Sequence, residues 1–233
     1  MEIENLEKSM GYRFRDRSLL ERALTHSSYA NEKKSEHTAD YERLEFLGDA
    51  VLEMVSSAFL YNRYPDDPEG ELSRTRAALV CEPALYRRAQ ALDLSSYIRV
   101  GRGEELSGGR FRESIVSDVM EAIIGAMYLD SGSVAAPERF IRTFILLEPD
   151  EMRLRHDAKT ALQELVQSEG RQVTYTLLSE TGPDHEKTYR IRVSLEGETL
   201  GEGEGRSKKA ASQEAAYDAL RRLRGIGTAG DQQ

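Results

Sequence analysis

Residues Tyr41–Leu52 read YERLEFLGDAVL, and their spacing decides how this part of the chain folds. Glu42, Glu45 and Asp49 recur at helical intervals of three and four. At about 100° per residue, the three fall within about 60° of one another on a helix. Leu44, Leu47, Val51, Met54, Val55 and Ala58 take the other side, a stripe expected to face a core. Three like charges on one face repel, and burial penalises their ionised forms further. A hard divalent cation removes that repulsion, so the acidic face reads as half of a metal site. Such a site turns a helical protein into a candidate hydrolase.

A second acidic pair lies about 70 residues further on, in SDVMEAIIGAMYLD. Asp118 and Glu121 stand at i and i+3, with Gly125 close to the same azimuth. Alone, such a pair is ordinary solvated helix surface. Two inward-facing sets are more specific. Together, ERLEFLGDAVL and this second cluster resemble the acidic motifs of the ribonuclease III family of double-stranded-RNA endonucleases. The resemblance runs from about Leu6 to Leu223.

By motif position, the resemblance implies that Glu45, Asp118 and Glu121 ligate Mg²⁺, with Mn²⁺ able to substitute. It makes Asp49 and Glu121 the catalytic residues whose loss hurts most. Glu42 and Glu69 match further acidic positions, nearer the RNA and outside the direct ligands. Magnesium suits phosphodiester hydrolysis, because it keeps several waters and accepts a phosphate oxygen as ligand. Products with 5′-phosphate and 3′-hydroxyl ends and short 3′ overhangs are implied as well. Implied substrates are ribosomal-RNA precursors and structured messenger RNAs. Glu53 shares the azimuth of Glu42 and Asp49 but matches none of these positions. It is assigned to a solvated face or a salt bridge.

Phe46 lies about 40° from Glu42, on the acidic side rather than the core side. Geometry leaves it between a solitary surface ring and an interface residue. The family resemblance implies a symmetric homodimer in which this ring packs into the partner. Two equivalent sites about a two-fold axis can each cut one strand of a duplex.

Other residues carry less. His26 in LTHSSYAN reads as a hydrogen-bonded structural histidine rather than a general base. GRGEELSGGR fits neither the Walker A pattern nor the dinucleotide fingerprint, so no nucleotide cofactor is expected. It reads as a flexible loop that leaves Arg110 and Arg112 available to RNA. Cys81, the single cysteine, cannot form an intramolecular disulfide and reads as a small buried hydrophobe. A cytoplasmic protein without an export signal or a membrane span is expected.

The formal net charge of −9 at first argues against nucleic acid. Residues 1–150 hold 19 Lys/Arg against 27 Asp/Glu, however, and residues 151–233 hold 13 against 14. The excess acid belongs to the part with the carboxylate clusters, and local patches decide phosphate binding.

The helical period dominates from Leu6 to about Leu147, in segments that include 18–30, 41–61, 70–80, 82–91, 115–129 and 137–146. This predicts an all-α endonuclease domain over residues 1–147. EPDEMRLRHD is charged and aperiodic, and residues 148–156 read as a linker. The pattern then changes. Ala158–Ser168 is helical, and Val173, Tyr175 and Leu177 alternate with polar residues, as do Tyr189, Ile191, Val193 and Leu195. Thr199–Gly205 supplies a third strand and an Ala-rich helix follows Ser207. This α-β-β-β-α order, a small α+β domain over residues 157–225, resembles a double-stranded-RNA-binding domain. Residues 226–233 read as a disordered tail.

Lysines at Lys208 and Lys209 oppose the dipole of the helix they begin, which leaves them between ordinary solubilising lysines and, with that N-terminus, a phosphate clamp; the resemblance of the segment implies the clamp. RSKKAAS resembles the third contact motif of such domains, usually KKxAK, with Ser212 in place of the last lysine. TALQELVQ matches the first helix motif, which implies that Gln163 and Glu164 meet the minor groove. GPDHEKTY matches the loop motif and places Pro183, Asp184 and His185 against the next one. Domains of this kind read A-form shape over about 16 bp with little sequence preference. The rival reading is a non-catalytic protein that shelters duplexes, but such a binder gains nothing from carboxylates that repel phosphate. A purely structural helical dimer leaves the C-terminal module unexplained.

Overall fold

In a computed structural model, which describes residues 3–33, 38–147, 149–168, 170–183 and 187–223, the chain divides into two units, Met1–Pro149 and Asp150–Gln233. The first is helical: α1 (Ile3–Met10), α2 (Arg17–Ala23), α3 (Ser27–Glu32), α4 (Glu42–Arg63), α5 (Glu69–Val80), α6 (Glu82–Gln90), α7 (Arg102–Leu106), α8 (Glu113–Ser131) and α9 (Ala135–Phe144). Helix α8 is its axis. Ile115, Val116, Val119, Met120 and the run from Ala122 to Met127 are buried all round it, against α2, α4, α6 and α9. A helix so apolar on every side belongs at the centre of a bundle. It stops at Gly132, whose φ of +68° lies in the left-handed region that glycine adopts at least cost.

Helix α4 buries Leu44, Gly48, Val51, Leu52, Val55, Ser56 and Leu60, a four-three repeat turned slightly from the predicted stripe. Met54 and Ala58, expected in the core, are exposed, Met54 by 50%. The rotation has a steric cause. Gly48 and Gly125 let α4 and α8 touch backbone to backbone; a Cβ on Gly48 would lie 1.8 Å from the Glu121 carbonyl oxygen, and one on Gly125 2.2 Å from that of Leu44. The contact line therefore runs through Gly48 rather than through Met54.

Three further expectations change. The helix anticipated over 18–30 breaks after α2, because Thr25 pairs in parallel with Arg99 and the N–H of His26 donates to the Arg99 carbonyl at 3.0 Å. The expected flexible loop at 101–110 contains α7 and a 3-10 turn at Gly109–Phe111. There Arg110 pairs with Glu105 at 2.7 Å and Arg112 with Glu104 at 2.8 Å, so both guanidinia, expected to be available to RNA, are accessible but already hold a carboxylate. Cys81 is exposed rather than buried, in the extended residue that separates α5 from α6.

The second unit holds α10 (Pro149–His156), α11 (Ala158–Gln167), β1 (Val173–Thr181), β2 (Thr188–Leu195), β3 (Glu198–Gly205) and α12 (Lys208–Leu223). Residues 149–156, expected as a charged linker without periodicity, form a helix between the two parts of the chain. Proline suits a first helical position, and Arg155 grips Glu214 with two bonds of 2.8 and 2.6 Å, a contact across 59 positions. The strands form an antiparallel meander in the order β1-β2-β3. Ile191, Val193 and Leu195 face Ala158, Leu162 and Val166 of α11 and the alanines of α12. Gly201, Gly203 and Gly205 let α12 lie directly on β3, since a Cβ on any of them would stand under 3.0 Å from the helix. Leu177 is exposed because the register shifts between Leu177 and Ser179. Residues 226–233, expected to be a disordered tail, lie outside the described residues.

Candidate metal centre and RNA-binding face

Where α4 and α8 touch, their acidic residues meet. Carboxylate oxygens of Glu45, Asp118 and Glu121 lie within 4.8 Å of one another, all three side chains being partly buried. Among the described residues this is the group able to hold a metal ion. The two glycines set the spacing: without their close approach, Glu45 and Glu121 would stand a methyl group further apart.

Electrostatics fits a cation site. Burial, then the charges of Asp49, Asp118, Glu45 and Glu53, pushes Glu121 up from 4.5 to about 8. Glu45 is raised by burial and then by Asp118, Glu42 and Asp49. Asp118 is raised by burial and by Glu82, against the opposing effects of its hydrogen bond to Tyr41 and the charge of His26. The cluster thus holds more negative charge than it can keep ionised alone. Hard oxygen donors in this arrangement fit magnesium or manganese.

Asp49 is exposed one turn beyond Glu45, with its charge felt by both Glu45 and Glu121. Glu42 is exposed at the start of α4. Glu69 sits in the first turn of α5, accepts a hydrogen bond from the Ser73 hydroxyl at 2.6 Å, and is not one of the three gathered residues. Glu53 is tied to Arg76 at 2.7 Å, a salt bridge. His26 caps α3: its Nδ1 accepts from the Ser28 N–H at 3.2 Å and meets the Ser28 hydroxyl at 2.8 Å. Two participants carry no sequence signal of their own. The Tyr41 hydroxyl donates to Asp118 Oδ2 at 3.2 Å, and Glu82, first in α6, acts on the same carboxylate.

In the second unit, Gln163 and Glu164 are exposed on α11, and Pro183 is exposed just after β1. Asp184 and His185 lie outside the described residues. Lys208 and Lys209 are exposed in the first turn of α12, whose N-terminal amides are partly met by Ser207: its hydroxyl accepts from the Ala210 N–H at 3.1 Å. Lys208 Nζ stands 5.7 Å from the centre of the Tyr189 ring. Ser212 is only 8% exposed and donates to the Lys208 carbonyl at 2.7 Å, so it adds no cation and turns away from solvent.

Comparison with known proteins bears on both parts. The family described as Ribonuclease-III-like matches residues 16–148, and the Double-stranded RNA binding motif matches residues 158–223. The chain is 48% identical to Ribonuclease 3 of Listeria welshimeri over 224 residues, covering 94% of this chain and 97% of that protein. Identity to Ribonuclease 3 of Desulforamulus reducens is 45% over 233 residues, covering 98% of this chain and 94% of that one. A solved nuclease domain of Ribonuclease III from Campylobacter jejuni superposes with a TM-score of 0.57 at 42% identity, covering 62% of this chain and 96% of that chain. The study of that domain concerns flexibility in a region involved in dimer formation.

Proposed function

The chain belongs to the ribonuclease III family of endoribonucleases, and on that premise we propose that it hydrolyses double-stranded RNA with Mg²⁺ held by Glu45, Asp118 and Glu121. The observation that carries the metal assignment is the meeting of these three carboxylates, each raised by its neighbours and by burial. A divalent cation bound there supplies Lewis acidity and a nucleophilic water at neutral pH. Glu121 ligates, and Asp49 is exposed with its charge acting on Glu121. Asp49 and Glu121 are accordingly the residues whose loss stops cleavage. Glu42 and Glu69 act outside this set, and Mn²⁺ replaces Mg²⁺.

Gln163, Glu164, Pro183, Asp184, His185, Lys208 and Lys209 hold the duplex, reading A-form shape rather than sequence. Cleavage leaves 5′-phosphate and 3′-hydroxyl ends with short 3′ overhangs. The substrates are ribosomal-RNA precursors and structured messenger RNAs in the cytoplasm. The enzyme works as a homodimer through Phe46, 80% exposed, flanked on α4 by the exposed Ala50, Met54, Ala58 and Tyr61. An apolar stripe of that extent on a helix calls for a partner.

The test is cleavage of a labelled duplex with Mg²⁺, with Ca²⁺ and with a chelator, wild type beside Glu121→Gln. Discrete short duplex products with Mg²⁺ and wild type only, and unchanged duplex binding by the variant, are expected. Binding without cleavage under every metal would make the chain a sheltering protein instead. Turnover by Glu121→Gln would remove that residue from the site.

A further inference from the structure

Tyr41 touches both halves of the carboxylate cluster. Its carbonyl accepts from the N–H groups of Leu44 at 2.7 Å and Glu45 at 2.9 Å, so it starts the turn that carries Glu45. Its hydroxyl crosses to α8 and donates to Asp118 Oδ2 at 3.2 Å. The residue is 3% exposed. Its own N–H donates to the Thr25 carbonyl at 2.9 Å, and its ring lies 5.7 Å from that of His26, tilted by 53°. His26 is in turn fixed by Ser28, whose hydroxyl oxygen accepts from the Gly101 N–H at 2.8 Å. The backbone therefore holds the turn of Glu45, the ring packs with His26, and the hydroxyl is the part of the side chain that hydrogen-bonds a cluster carboxylate.

A carboxylate accepts but cannot donate, so the phenol must keep its proton. A carboxylate that accepts an outer hydrogen bond has its rotamer fixed and its other oxygen left for a cation; loss of such a partner typically weakens metal affinity or activity by about 10–100-fold.

We propose that Tyr41 is a positioning residue of the metal site: its hydroxyl holds Asp118 Oδ2 while its backbone sets the turn bearing Glu45, which fixes the two carboxylates relative to each other before the cation arrives. The inference rests on the metal reading given above.

Full-length Tyr41→Phe keeps the ring and every backbone bond and deletes only the hydroxyl. Mn²⁺ is titrated into variant and wild type without RNA, with the free ion followed by electron paramagnetic resonance. Affinity about tenfold weaker in the variant is expected. The Mg²⁺ needed for half-maximal cleavage should rise by a similar factor, with kcat at saturating metal within about twofold of wild type. Equal Mn²⁺ affinities overturn the proposal, as does a loss of kcat that no metal concentration restores. Should wild type itself bind no Mn²⁺, the metal reading fails, and the proposal with it. A second measurement needs no stable variant. In wild type carrying ¹³Cζ-tyrosine, the Tyr41 signal should move as Mg²⁺ is added, and a Tyr41 signal indifferent to metal counts against the role.

Discussion

Glu121 binds a proton in the folded chain that it would release on unfolding, because its pKa stands at about 8 instead of 4.5. The sign follows from linkage. A folded-state pKa above the unfolded value contributes stability that is complete below about pH 4.5 and is lost as pH rises through about 8. Glu45 and Asp118 are raised too and add with the same sign. In chelator, the melting temperature of the nuclease unit should fall by several degrees between about pH 5 and pH 8. Added Mg²⁺ displaces those protons, so its stabilisation should grow over the same interval. Glu121→Gln should flatten the metal-free slope; an equal slope in the variant would show that other groups dominate. At this scale the sequence carries the acids plainly, since Glu42, Glu45 and Asp49 recur at helical spacing and Asp118 and Glu121 do likewise. It does not carry Tyr41 or Glu82, whose roles depend on Asp118, 77 positions from Tyr41 in the chain. A pairwise contact across two helices leaves no local periodicity to read.

Helices α4 and α8 illustrate what an element owes to its neighbour. Gly48 has no conformational peculiarity; it is required because the Glu121 carbonyl oxygen occupies the place of a Cβ, at 1.8 Å. Gly48→Ala must push the helices apart, which places it at or above the upper end of overpacking costs, about 3 kcal/mol. At about 2–4 °C per kcal/mol for a unit of this size, calorimetry should show a melting temperature lower by about 6–12 °C. Because the displaced carbonyl belongs to Glu121, Mn²⁺ affinity should weaken as well; a variant that melts and binds metal like wild type would refute the close-packing account. Local spacing reveals the long helices but not α10, which is secured by Arg155 on Glu214, nor the break at His26, which is secured by Arg99. Helix α12 makes a different case. Lys208 and Lys209 stand at its N-terminus, where cations oppose the dipole, and a phosphate would satisfy both lysines and the positive end of the helix. Lys208→Ala with Lys209→Ala should reduce the slope of log affinity against log salt by up to about two phosphate contacts, near 0.9 each. Duplex titrations at several salt concentrations decide it, and a slope equal to wild type would exclude both lysines from the phosphates.

A net charge of −9 on a protein that binds a polyanion becomes intelligible when the charge is followed through the whole chain. Nearly all the excess lies in residues 1–150, where the carboxylates gather, whereas residues 151–233 are close to neutral, with 13 basic against 14 acidic side chains. A cation in each cluster lowers the repulsion that an approaching duplex would meet, so metal and RNA binding should be mutually favourable. On the proposed reading, however, one cluster cuts one strand. A duplex has two strands of opposite polarity, and a two-fold axis presents a second copy of the same site to the second strand. Helix α4 bears the means for such pairing: Phe46 is 80% and Tyr61 72% exposed, with Met54 half exposed between them. A single aromatic anchor at the centre of an interface commonly contributes at least about 2 kcal/mol, a factor of roughly 30 in dimer affinity. Phe46→Ala should therefore shift the sedimentation equilibrium toward monomer by at least about that factor. The metal cluster lies within one chain, so Mn²⁺ affinity should survive in the monomer while double-strand cleavage falls with dimer occupancy. Nicked duplex in place of doubly cut product at low enzyme concentration would be the signature. A variant that sediments as wild type would mean that α4 pairs through Met54 and Tyr61 without Phe46, or that the dimer uses another face.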